Sequence, residues 1–168
     1  MKLIEANIDY RDAFLEVARE YIGVNDPREE KYSEVLSNFT GYIDKIKKYK
    51  DVKNLPEDRV PGTEFWLLDD MGRILGTSRL RFYLVPHLEK EGGHIGYDVR
   101  PSERNRGYGT EILRLTLDEA KARNIKPILV TCDEDNIASI RVIEKNDGKP
   151  VGNAISENSG KNVLHYHF

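Results

Sequence analysis

The sequence predicts an α/β fold, a central mixed and twisted sheet flanked by helices on both faces, and three observations predict it. Two apolar stretches, residues 64–69 and 74–85, flank the turn Asp70-Met71-Gly72 and read as an antiparallel hairpin. Residues 94–132 follow in the order strand, helix, strand, with the size of one parallel crossover. Two helical patterns precede the hairpin, and sheets of this kind bury both faces under helices.

The elements follow in order. Residues 2–6 read as a short strand. Residues 12–21 carry Phe14, Leu15, Val17, Ala18 and Tyr21 on one helical stripe, and Asn25-Asp26-Pro27 breaks the helix. Tyr32, Val35, Leu36, Phe39, Tyr42, Ile43 and Ile46 recur at helical spacing, predicting a second helix over 29–48 with Gly41 as an interruption. Residues 50–62 hold Pro56 and Pro61 among charges and read as a long surface loop with a role at the site. After the hairpin, 94–99 is a strand led in by Gly92-Gly93. A helix runs from about 107 to 122, a strand over 128–132, and a short helix over 137–146. Two last strands, 151–155 and 163–167, surround Asn158-Ser159-Gly160.

Composition narrows the function classes. The chain is 39% apolar and 33% charged, ordinary for one globular domain over residues 1–168. A net charge of −3 argues against broad nucleic-acid affinity. The single Cys132 permits no internal disulfide and fits a reducing cytoplasm. No apolar run reaches membrane-spanning length, the start does not resemble a signal peptide, and no His, Cys or acidic cluster has metal-ligand spacing.

The chemistry concentrates at Arg104-Asn105-Arg106-Gly107-Tyr108-Gly109-Thr110, between a strand and a helix. A helix start exposes N–H groups without intrahelical partners, and its dipole favours an anion such as a phosphate. Gly107 and Gly109 let a ligand approach the backbone. Arg104 and Arg106 offer charge-assisted donors, and Thr110 a hydroxyl. A P-loop would need Gly-Lys-Ser/Thr here, and a dinucleotide fingerprint a glycine where Ile112 stands.

The motif Arg104-x-x-Gly107-x-Gly109 resembles the Gln/Arg-x-x-Gly-x-Gly/Ala signature of the GNAT superfamily of N-acetyltransferases. The preceding Ile95-Gly96-Tyr97-Asp98-Val99-Arg100-Pro101 resembles that family's fourth strand. Asn136-x-x-Ser139 followed by Val142-Ile143-Glu144-Lys145-x-x-Gly148 resembles its helix after the fifth strand. The match covers residues 94–148. The resemblance implies direct transfer of acetyl from acetyl-CoA to an amine of a small molecule or peptide. It implies that the loop amides hold the pyrophosphate, that the pantetheine lies along Tyr97 and Val99, and that Asn136 and Ser139 touch the same arm. Homodimers are common in the family.

Ile143 stands where the family often has a tyrosine that protonates the leaving thiolate. Tyr108, Tyr97 and Tyr166 are the alternatives, each also readable as a packed aromatic. For the base, His94 lies near the position where the family often has a carboxylate, and Asp98 shares its strand; the plain readings are an edge histidine and a capping aspartate. Arg79 and Arg81 fit either a carboxylate of the acceptor or a solvated strand face. Rival readings are an acyl-CoA-binding regulator without turnover and a non-catalytic scaffold.

Overall fold

A computed structural model describes residues 1–50, 55–56 and 59–168. Residues 51–54 and 57–58, within the loop assigned a role at the site, lie outside the described residues. The antiparallel order β1-β2-β3-β4 joins β1 (Lys2–Glu5), β2 (Gly62–Leu68), β3 (Ile74–Arg81) and β4 (Ile95–Val99). The hairpin turn between β2 and β3 is closed by Asp69, whose Oδ1 accepts the N–H groups of Met71 at 2.9 Å and Arg73 at 2.8 Å. A second antiparallel sheet has the order β5-β7-β6, from β5 (Leu129–Asp133), β6 (Lys149–Ile155) and β7 (Asn162–His167).

The predicted parallel neighbours, β4 and β5, meet only where they begin. His94 donates its N–H to Leu129 O at 2.7 Å, and Leu129 returns its own N–H to His94 Nδ1 at 3.0 Å. Among the described residues no ladder continues beyond this junction, so the expected mixed sheet is two antiparallel sheets hinged at one point. Gly93 makes the junction possible. Its φ is +57°, and a Cβ there would stand 2.6 Å from Leu129 O.

Each face of the first sheet has its own helices. On one face lie α1 (Arg11–Arg19), α2 (Glu29–Ser37) and α3 (Phe39–Lys48), burying Phe14, Tyr21, Tyr32, Val35, Phe39 and Ile43 around Trp66. Phe14 stacks on Trp66 with ring centroids 4.3 Å apart. The single helix expected over 29–48 breaks at Asn38 rather than Gly41, because the Asn38 side chain accepts the Gly41 N–H at 2.9 Å and caps α3. On the other face α5 (Tyr108–Ala122) buries Ile112, Leu113, Leu117 and Ala120, and α6 (Ile137–Lys145) packs beside it. The strand expected over 74–85 stops at Arg81. Pro86 then starts the short α4 (Pro86–Lys90), which the sequence reading missed. No described helix is long and apolar enough to cross a membrane.

Candidate active site

The loop before α5 is built as a donor surface. Asn105 and Gly107 both have left-handed φ, +64° and +85°. The first intrahelical bonds are the Thr110 and Glu111 N–H groups donating to Gly107 O. Among the described residues, the amides of Asn105, Arg106, Gly107, Tyr108 and Gly109 have no protein acceptor. Consecutive free amides with alternating hand at a helix start form a concave anion seat. The two glycines divide the work. Gly107 is open, with nothing within 4 Å of an added Cβ, so its φ is what demands glycine. Gly109 is buried, and its Cβ would press on Val142 at 3.2 Å, so it allows α5 to approach α6 rather than a ligand.

The arginines expected to serve the phosphates are engaged elsewhere. Arg104 donates to Asp26 at 3.0 Å and Val99 O at 3.3 Å. Arg106 donates to the buried Glu103 at 2.6 Å, which also pairs with Arg73. Asp26, held well below the usual carboxylate range by the Arg28 guanidinium, joins Arg104 to Arg28, and Arg28 continues to Asp98. A chain of alternating charge thus runs from the loop to the middle of β4. The Thr110 carbonyl accepts from Asn146 at 3.1 Å. Tyr108 packs near Leu67, Leu75 and Ile112, with Arg73 and Arg106 as its charged neighbours.

Beside the loop, β4 presents two distinct sides. His94 C=O and Arg100 N–H bond to β3. Alternation therefore turns the backbone groups of Tyr97 and the N–H of Val99 to the open edge, whereas the Val99 carbonyl accepts from the Tyr21 hydroxyl at 3.2 Å and from Arg104 at 3.3 Å. Asn136 caps α6 by accepting the Ser139 N–H at 3.1 Å. Facing that helix, the Tyr97 hydroxyl is buried and has no hydrogen-bond partner among the described residues, as is also true of Tyr32. Burial pushes the Tyr97 phenol up to about 12, a rise that Ser139 tempers and Cys132 reinforces. Burial likewise lifts the Cys132 thiol to about 11. Ile143, in place of a tyrosine, is fully buried.

On the opposite face of β4 a cavity of about 680 Å³ opens between the sheet and α2–α3. Gly96, Tyr97 and Asp98 form its β4 wall, with Arg28, Tyr42, Tyr49, Glu64 and Arg79 around it. Burial raises Asp98, and the Arg28 charge partly offsets that rise. Glu64 accepts hydrogen bonds from the Tyr42 hydroxyl and from Trp66 Nε1 at 3.4 Å. Arg79 lies over the Tyr49 ring at 4.8 Å, whereas Arg81 braces the 92–93 turn by donating to Gly92 O and Gly93 O at 3.1 and 2.9 Å. The two strand arginines therefore part company, and Arg79 alone of the two lines the cavity. His94 lines a second cavity of about 620 Å³ with His165 and His167. Its Nδ1 lone pair receives the Leu129 N–H, so the ring proton sits on Nε2.

The sequence reading did not single out Asp26, Arg28, Tyr42, Tyr49 or Glu64. For Glu64 the turn alone misleads, since counting outward from 69–73 pairs it with Ser78, and only the register shift at Leu67–Leu68 brings it opposite Arg79. For Asp26 and Arg28, which pair with each other, no signal tied the pair to the site, because Asp98 and Arg104 lie 70 or more residues away.

The acetyltransferase (GNAT) family model matches residues 28–148. Several solved structures share the fold. An acetyltransferase of the GNAT family from Bacillus anthracis is 18% identical with a TM-score of 0.67, over 100% of this chain and 95% of that one. A chimera involving the spermidine N-acetyltransferase of Vibrio cholerae is 12% identical with a TM-score of 0.66, over 99% and 93%. A ribosomal-protein alpha-N-acetyltransferase in complex with coenzyme A is 15% identical with a TM-score of 0.61, over 99% and 92%. No curated protein sequence matches the chain significantly. The fold and the family match define an acyl-transfer enzyme. The chain belongs to the GNAT family of acetyltransferases.

Proposed function

We propose that this chain, as one cytoplasmic domain, transfers the acetyl group of acetyl-CoA directly to a primary amine of a small molecule or protein. The observation that carries the reading is the run of five unpartnered amides at residues 105–109, beside the open edge of β4. They fit a pyrophosphate, and the Tyr97 backbone groups and the Val99 N–H are offered to an amide-bearing arm passing Asn136 and Ser139. When bound, acetyl-CoA supplies the thioester carbon that an amine attacks.

The chain's own groups then divide the proton work. Asp98, raised by burial and lining the acceptor cavity, takes the proton from the incoming ammonium, directly or through water. His94 is poorly placed for this task, with Nδ1 engaged and Nε2 already protonated. The Tyr97 hydroxyl, kept protonated by burial, is a hydrogen-bond donor for the departing sulfur. With a pKa of about 12 it donates a bond rather than losing its proton, because a free thiol ionises near 8.5. Tyr108 lies with Arg73 and Arg106 and has no part in this arrangement.

The buried Ile143 favours a second reading, an acyl-CoA-binding regulator without turnover. Calorimetry with acetyl-CoA and a thiol-release assay over a panel of amines separate the two. Binding with amine-dependent thiol release is the expected result. Binding without release would select the regulator, and no binding would sink both.

A further inference from the structure

We propose that the cavity on the α2–α3 face takes an amine bearing a carboxylate, such as an amino acid, and that Arg79 seats the carboxylate. The proposal rests on the acetyl-transfer reading and names its acceptor class.

The sheet register sets the geometry. Glu64, Arg79 and Gly96 are successive cross-strand partners on β2, β3 and β4 and form one row across the cavity floor. The charged groups in this row differ in what already holds them. Glu64 accepts from Tyr42 and Trp66. Arg28, in the next part of the wall, is spent on Asp26 and Asp98. The Arg79 guanidinium has no hydrogen-bond acceptor and no ion pair among the described residues. Its stacking on Tyr49 covers a face of the planar group and satisfies none of its five N–H donors. Burial also lowers its pKa, and the Glu64 carboxylate opposite it offsets that only in part, so an anionic ligand would relieve the remaining cost.

A guanidinium with a free fork matches a carboxylate with two parallel hydrogen bonds. Gly96 lies next to Arg79 in the row, about 5 Å away by ordinary cross-strand spacing, and an added Cβ there would meet nothing. An α-amino acid held on Arg79 therefore brings its amine over Gly96. That is the strand along which the acetyl donor is placed, with Asp98 two residues on. A polyamine fits less well. The cavity lining carries Glu34, Glu64 and Asp98 as well as basic residues, but the charged group left to a ligand in the row beside Gly96 is the Arg79 cation, and a polycation would meet like charge there.

The test uses acid and amine pairs: L-lysine with cadaverine, L-tyrosine with tyramine, and L-leucine with isoamylamine, plus spermidine. Turnover with acetyl-CoA and thermal stabilisation of the coenzyme A-loaded protein are both read, for wild type, Arg79→Gln and Arg79→Lys. In at least one pair the acid should be preferred by about tenfold or more, the scale of a charge-assisted pair. Arg79→Gln should abolish the preference, bringing turnover and stabilisation with each acid down to the level of its decarboxylated amine. Arg79→Lys, a point charge without the fork, should restore part of it. Stabilisation by acids that depends on Arg79 supports the proposal even if no product forms, in which case the transfer reading alone falls. Equal binding of acid and amine in every pair, an undiminished preference in Arg79→Gln, or a preference for spermidine would overturn it.

Discussion

The strands β2, β3 and β4 carry a different environment on each face. Under α5 the sheet presents Phe65, Leu80 and Ile95 to Leu113, Leu117 and Ala120, all buried. The polar pair on that side, Ser78 with Thr116 at 2.7 Å, is satisfied within the core, where Thr116 also donates to the Ile112 carbonyl. On the other face the same strands present Glu64, Arg79, Thr77 and Asp98 to a cavity. Residues one position apart thus answer to different demands, close packing in one case and chemistry in the other. Apart from Tyr97, whose hydroxyl was assigned to the departing sulfur, substitutions on the α5 face should change stability, and those on the cavity face should change turnover.

The sharpest break would come from the packed side. Leu113 is fully buried, and Leu113→Ala should cost about 2–5 kcal/mol of stability, the sum of lost transfer energy and a residual cavity. Denaturant melts would show this, with acetyl-CoA affinity of the folded protein unchanged. Loss of turnover without loss of stability would erase the division between faces.

On the cavity side, Asp98→Asn should lower kcat by about 100-fold or more, the scale of general-base catalysis. Calorimetric affinity for acetyl-CoA should stay the same. Because burial raises Asp98 above 3.8, the acid limb of the wild-type rate should fall at a higher pH than for an ordinary carboxylate. The rate is lost as pH falls and the carboxylate protonates, and the Asn variant should lack that limb. An unchanged limb would remove Asp98 as base.

The anion seat belongs to neither face, and it tests whether function can be lost with little structural cost. Gly107→Val meets no neighbour but forces a branched side chain into φ +85°, at about 1–2 kcal/mol. Relaxing that strain would turn amides away from the ligand, so acetyl-CoA affinity should fall more than tenfold while the fold persists. Unchanged affinity would disprove the seat.

How much of this was legible depended on distance along the chain. The β3 strand, α5 and the Gly107 turn follow from patterns a few residues long, and residues 94–148 carried the family resemblance within themselves. The Asn38 break was readable as a cap but was masked by an apolar stripe that continues through it. The cavity under α2 and α3 was not legible as a whole. Its walls come from α2, α3 and three strands, and Arg79 differs from Arg81 only because the 92–93 turn folds back onto Arg81. The pairing of Arg104 with Asp26 was hidden for the same reason, since charge at a loop does not reveal whether a distant carboxylate already claims it.

The smallest expected effect concerns His94, the residue at the hinge between the two sheets. Burial first, then the Arg81 and His167 charges, hold its pKa below 6.5. The neutral ring accepts the Leu129 N–H, and protonation of Nδ1 would remove that acceptor. The folded state therefore binds fewer protons than the unfolded chain as pH drops below 6.5, so this contribution is present above that value and lost as pH falls through the lowered one. His94→Asn keeps a side-chain acceptor for Leu129 but cannot titrate. Between pH 7 and 5 the wild-type Tm should fall more steeply than that of the variant, measured by thermal melts in matched buffers. Parallel slopes would mean that the junction is indifferent to the charge of His94, and that the sheets are held together by the His94 N–H to Leu129 O bond and the packing around it.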